Sequence, residues 1–147
     1  MILAIDVGST YLKCAVFEGE QMLEKKSRPM PSRLPAGEDA RFEVDATAIA
    51  ALAQEKIDDA LMRFPGAGAI YLDSQMHGYV MTDLAGGEPS PYVSWQDRLA
   101  EPELSEIALR IGPEAIRRMG TRFKAGLCAC SFFARHKGAP LGENRLL

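Results

Sequence analysis

Three short stretches of this 147-residue chain hold side chains whose types and spacing could do chemistry. The first, "MILAIDVGSTYLK", runs an apolar segment into Asp6, then Gly8, Ser9 and Thr10, and resumes an apolar pattern at Tyr11. A glycine at such a junction lets the backbone turn tightly and brings amide hydrogens near a ligand with no Cβ in the way. The hydroxyls of Ser9 and Thr10 add donors that suit phosphate oxygens. A carboxylate beside a bare phosphate is repelled, so Asp6 makes sense there with a divalent cation in between, most simply Mg2+ held through water. Taken alone, these five residues read better as a plain hairpin with Asp-x-Gly turn chemistry. Lys13, just beyond, is either an electrostatic partner for phosphate or a solvated lysine.

The second stretch, "DSQMHGYVMTD", places Gln75, Met76 and His77 between two apolar runs and before Gly78. A lone histidine is more often structural than catalytic. This one falls at a strand end, where open α/β sheets build ligand crevices. The third, "YVSWQDRL", closes a short apolar run with Trp95, Gln96, Asp97 and Arg98. As structure, it reads as a buried tryptophan next to a surface ion pair. As a site, an amide and a carboxylate beside an aromatic face suit a polyhydroxylated ligand, whose hydroxyls need both donors and acceptors.

The elements that must position these residues are predicted from periodicity. Ile2–Asp6, Tyr11–Phe17 and about Gln21–Ser27 read as consecutive strands joined by short connections, hence antiparallel. Residues 29–41, with three prolines and a glycine, form a loop. From Ala46 to Phe64 apolar residues recur at three- and four-residue steps, the pattern of an amphipathic helix, with Asp45 as N-cap and Pro65-Gly66 as stop. Ala69–Leu72, Gly78–Leu84 and Tyr92–Trp95 are further strands, with a turn over residues 85–89. Helices follow at Pro102–Ile111, Pro113–Met119 and Leu127–His136, the first two divided at Gly112-Pro113. Strands, then a helix crossing to another strand, give an α/β fold with a mixed sheet.

Composition narrows the function. With 47% hydrophobic and 25% charged residues the chain is an ordinary globular domain, and its net charge of -3 gives no reason to expect nucleic acid or an anionic membrane as partner. Residues 1–97 carry 8 Lys/Arg against 15 Asp/Glu, and residues 98–147 carry 9 against 5. The basic residues of the second part are not interleaved with stacking aromatics, so they read as solvated helix faces. No apolar run approaches the roughly 20 residues that span a bilayer, and the N-terminus lacks a basic-then-apolar leader, so a cytoplasmic location is expected. Three cysteines make no disulfide framework; Cys128 and Cys130 lack a second cluster to complete a metal site and read as buried structural thiols.

"AIDVGSTYLKCAVFE", "SQMHGYVMTD" and "VSWQDRL", in that order, resemble the N-terminal region of the FGGY carbohydrate kinases, most of all the xylulokinase type. "FEVD" and "GLCACSFFARHKGAP" extend the likeness over nearly the whole chain. The resemblance implies a ribonuclease-H-like core of the actin-like, hexokinase-like ATPase superfamily, here incomplete. Residues 1–147 would be the N-terminal part of the sugar-side domain, with the second, nucleotide domain absent. It implies ATP and Mg2+ as cofactors, with Asp6 orienting the magnesium nucleotide and Gly8, Ser9, Thr10 and Lys13 near the transferred phosphate. Met76 and His77 would line the sugar site and Asp97 would hold sugar hydroxyls, with Gln75 and Trp95 next to them.

The resemblance also places the general base in a glycine-rich Asp motif further along such kinases, and no Gly-Gly-Asp or Asp-Ala-Gly follows residue 98. The expected function is therefore part of an ATP-dependent kinase for a ketose or polyol, xylulose first, inactive as this chain alone. One departure is Asp73-Ser74, where the family has a small residue and glycine. An uncovered sheet edge would invite a homodimer. A non-catalytic actin-like scaffold explains the Asp6 loop equally well but leaves "QMHG" and "WQDRL" without purpose; an inactive kinase remnant is the third reading.

Overall fold

Alternation in the first two strands builds the first sheet. In the computed structural model, which describes residues 1–83, 85–120, 122–138 and 144–146 (backbone alone for Asp83 and 144–146), β1 (Ile2–Val7) pairs antiparallel with β2 (Tyr11–Glu18). β2 in turn pairs with β3 (Gln21–Pro29) through a two-residue turn led by Gly19 at φ 58°. That left-handed conformation is cheap for glycine and twists correctly for a tight hairpin. Leu3 and Ile5 of β1, with Leu12, Cys14 and Val16 of β2, turn to one face and are buried.

That face is covered by α1 (Ala46–Arg63), whose Ala60 is buried and whose Leu52, Ala53 and Ile57 pack on the same core. Asp45 caps α1 as its sequence predicts, accepting from the amides of Thr47 (2.8 Å) and Ala48 (3.2 Å). Those hydrogen bonds, led by one from the Thr47 hydroxyl, hold the Asp45 carboxyl below the usual aspartate range. Ion pairs tie the helix to β3: Lys26 to Asp59 at 3.2 Å, and Arg63 to both Asp59 and Glu24. After α1 the chain returns as β5 (Ala69–Ser74), parallel to β1, giving the order β3-β2-β1-β5. The sheet is mixed, as expected.

The chain divides into two compact units, residues 1–32 with 45–76, and residues 33–44 with 77–147. The second unit has a smaller sheet framework. β4 (Glu43–Val44) pairs antiparallel with β7 (Tyr92–Val93), and β6 (Met81–Asp83) with β8 (Asn144–Leu146). A 3-10 turn at Glu101–Glu103 leads into α2 (Leu104–Ile111), followed by α3 (Pro113–Arg118) and α4 (Cys128–His136). Ala100, Ile107, Ala125, Leu127 and Cys130 form its buried core.

Several expectations are corrected here. The strand expected over Gly78–Leu84 is strand only at Met81–Asp83, with Tyr79 making an isolated bridge to Val93 and Leu84 lying outside the described residues. The strand expected over Tyr92–Trp95 ends at Val93, because Ser94–Asp97 closes a turn through Asp97 N–H donating to Ser94 O at 3.0 Å. The helix expected from Pro102 starts as a 3-10 turn. β4 and β8 were not anticipated: two or three residues carry too little periodicity to register. No helix among the described residues is long and apolar enough to cross a membrane.

Candidate functional site

In the first unit, β-pairing gathers the Asp6 loop. Register sets Asp6 of β1 between Lys13 of β2 and Asp73 of β5, so all three side chains leave the sheet on the face opposite α1. Asp6 Oδ2 accepts from Lys13 Nζ at 2.8 Å, and both side chains are about half exposed. With Lys25, Tyr71 and Phe17 they line a cavity of about 250 Å³. The Gly8 amide donates to Tyr11 O at 3.2 Å, and a Cβ on Gly8 would stand 2.9 Å from that oxygen, so the turn closes only around glycine. The amides of Ser9 and Thr10 donate to no protein acceptor among the described residues.

Gln75, the residue after β5 that the sequence reading sets beside the sugar-lining pair, is hydrogen-bonded to this loop instead. Its N–H donates to Val7 O (3.1 Å) and its side-chain amide to Gly8 O (3.4 Å), while its Oε1 is buried with no partner. The structure therefore brings Asp6, Gly8, Lys13 and Gln75 together. Met76 ends the unit with 73% of its surface exposed.

These residues fit a magnesium nucleotide. Asp6 keeps Oδ1 unengaged, Gln75 has an orphaned acceptor, and the amides of Ser9 and Thr10 are free to meet phosphate oxygens. Among the described residues no three His, Cys, Asp or Glu side chains gather into a protein-only metal cage. A cation here would be held by one carboxylate, water and phosphate, the habit of Mg2+.

In the second unit, the paired bonds between Tyr79 and Val93 (3.1 and 2.9 Å) lay "HGY" alongside "YVSW". A Cβ on Gly78 would fall 2.0 Å from the Tyr92 hydroxyl, so the strand end passes directly against that ring. His77 has φ 67°, the one left-handed non-glycine residue described. A strained backbone of this kind costs of order 1–3 kcal/mol and is concentrated at ligand-holding positions. Burial pushes the phenols of Tyr79 and Tyr92 up to about 12.

The third stretch is inverted relative to its structural reading. Trp95 is 38% exposed, whereas Asp97 is fully buried. The Asp97 partner is Arg135 of α4, at 2.5 Å, and not its neighbour Arg98, whose amide donates to Ala40 O. Arg135 also reaches Glu43 at 2.5 Å, and Ser131 donates to Asp97 Oδ1 at 3.3 Å. Sequence reading missed Arg135, Ser131 and Glu43. Glu43 lies in "FEVD" and the other two in α4, but nothing in either stretch points to Asp97 as their partner.

Cys14 and Cys130 are buried and Cys128 partly so, and burial pushes all three thiols up, away from the reactive thiolate.

The fold so defined is shared with a part of several solved sugar kinases. Gluconate kinase from Lactobacillus acidophilus aligns over 93% of this chain and 28% of its own, with a TM-score of 0.81 and 21% identity. The ligand-bound xylulose kinase from the same organism gives the same four values. Plasmodium falciparum glycerol kinase with ADP aligns over 99% of this chain and 32% of its own, with a TM-score of 0.81 and 15% identity. The chain thus spans under a third of the length of these kinases. No protein-family model matches the sequence, and no curated protein matches it.

Proposed function

We propose that this chain is part of an ATP-dependent carbohydrate kinase acting on a ketose or polyol, with xylulose the first candidate and a ribonuclease-H-like core. It would be the N-terminal part of the sugar-side domain. The observation that carries the reading is the Asp6 loop: an acid at a strand end, a turn that only glycine allows, and Gln75 fastened beneath it. The fold shared with xylulose, gluconate and glycerol kinases supports the same assignment.

Mg-ATP, when bound, supplies the phosphoryl group and the cation that neutralises its charge. Asp6 would hold that cation through water; Gly8, Ser9 and Thr10 would offer backbone and hydroxyl donors to the phosphates. Lys13 would exchange Asp6 for phosphate oxygens, since its ammonium is about half exposed and pairs with no other acid among the described residues. Met76, His77 and Trp95 would bound the sugar. Asp97, with both oxygens engaged by protein donors, could take a sugar hydroxyl only by losing one of them. The outer edge of β5, which pairs with no strand among the described residues and leaves Ile70, Tyr71 and Leu72 exposed, supports association between copies.

The experiment is calorimetric titration of the chain with ADP in the presence and absence of Mg2+. Binding is expected to need the cation and to weaken at least about tenfold in Asp6→Asn, a loss of 1.4 kcal/mol. Metal-independent binding equal in both proteins would contradict the role given to Asp6.

A further inference from the structure

The turn from Ser94 to Arg98 hides the residue its motif singles out and presents the two before it. Asp97 is fully buried, while Trp95 and Gln96 are exposed. Four donors surround the Asp97 carboxylate. Leu99 N–H (3.2 Å) and Ser131 Oγ (3.3 Å) donate to Oδ1; Phe42 N–H (2.8 Å) and Arg135 Nη2 (2.5 Å) donate to Oδ2. A carboxylate offers about four lone-pair sites, so this one is full.

Displacing a donor for a hydroxyl would also strand charge. Arg135 is itself 10% exposed, and removing a partner from a buried pair is strongly destabilising. The turn is held further by Ser94, which is 2% exposed and accepts from the Gln96 amide at 3.2 Å. Behind it, Gly126 lies so close that a Cβ would sit 1.7 Å from Trp95 O. The outcome is a rigid base under two outward side chains. The Trp95 ring has Lys124 Nζ at 5.3 Å from its centroid, and the Gln96 side-chain amide has no protein partner among the described residues.

We infer that Gln96 is the hydrogen-bonding residue this turn offers to a polyhydroxylated ligand, and that Asp97 and Arg135 are positioning residues that present it beside Trp95. The inference rests on the sugar-kinase reading above. A primary amide supplies two N–H donors and a carbonyl acceptor, enough to pair with neighbouring hydroxyls without charge. The adjoining indole face gives the ligand's carbon-bound hydrogens an apolar surface, the usual mix of a few polar groups on an apolar wall.

Trp95 is the chain's one tryptophan, so its fluorescence reads this turn directly. The purified chain and the variants Gln96→Leu, Asp97→Asn and Arg135→Lys are titrated with xylulose to millimolar concentration. Gln96→Leu is expected to keep the wild-type melting temperature and ligand-free spectrum, and to weaken the xylulose response at least about tenfold. Asp97→Asn and Arg135→Lys are expected to shift the ligand-free emission of the still-folded chain, which a purely structural loss of stability would not do. A Gln96→Leu response equal to wild type overturns the inference and leaves the sugar reading standing. So does an Asp97→Asn protein that keeps its spectrum and melting temperature but loses the response. A wild-type chain that ignores xylulose and other ketoses overturns both. Should Asp97→Asn not fold, Gln96→Leu and Arg135→Lys still decide.

Discussion

Single residues in this chain are constrained most tightly where backbone meets backbone. Gly126 is the sharpest case, since any Cβ there collides with the carbonyl of Trp95, and a main chain cannot rotate aside as a flexible side chain can. Gly126→Ala is expected to destabilise by about 3 kcal/mol in urea unfolding, in the range of strong steric lesions. Gly37→Ala, with open space around its site, is expected to change little. Tyr79 and Tyr92 supply a second test. Their folded-state values, raised to about 12 from about 10, mean that the folded chain keeps protons that the unfolded chain releases. Stability should therefore be intact below about pH 10 and fall as pH rises toward 12. Melting temperatures across that window, with tyrosinate absorbance, check it; Tyr92→Phe should flatten the decline in part. Among the candidate site residues, the turn at Asp6 and Gly8 was legible because acid and glycine signals act within a few positions, whereas Gln75, read from sequence beside the sugar-lining pair, is hydrogen-bonded to the Gly8 loop instead. The burial of Asp97 was not legible, because Arg135 lies 38 residues away and nothing local announces the pair.

At the scale of elements, periodicity did most of the work. β1, β2 and α1 were readable since alternation and the three-to-four spacing each persist over six residues or more. The strand after "QMHG" was over-extended because its apolar residues serve different ends: Tyr79 makes a bridge and packs edge-on against Phe132, while Met81 enters β6. Residues 29–41 read as a loop in sequence, yet the segment that ends it carries β4, Phe42 and Glu43 into the Asp97–Arg135 network. The core assignment for the first element can be checked by truncation. Leu3→Ala, at a fully buried site beneath α1, is expected to cost 2–5 kcal/mol, as cavity-forming substitutions do. Leu109→Ala, on an α2 face that leaves it 85% exposed, is expected to cost almost nothing. Equal losses at both positions would mean the core is elsewhere.

The molecule as a whole is two compact units, each with its own buried cluster, and each holds a different part of the candidate chemistry. The Asp6–Thr10 loop belongs to the first, the Trp95–Asp97 turn and the strained His77 to the second. The likeness of fold to xylulose and gluconate kinases extends over 93% of the chain at only 21% identity, so a similar backbone path is built here from largely different side chains. The three short motifs stand out as local patterns, whereas the buried network beneath one of them joins residues far apart in the chain. The central claim, that these motifs serve a nucleotide and a sugar, is tested most directly by amide chemical shifts of the labelled chain during two titrations. Mg-ADP is expected to move the amides of Gly8, Ser9, Thr10 and Lys13, and xylulose those of Met76, His77, Trp95 and Gln96. Shifts confined to other segments, such as α2 and α3, or no shifts at millimolar ligand, would contradict the account.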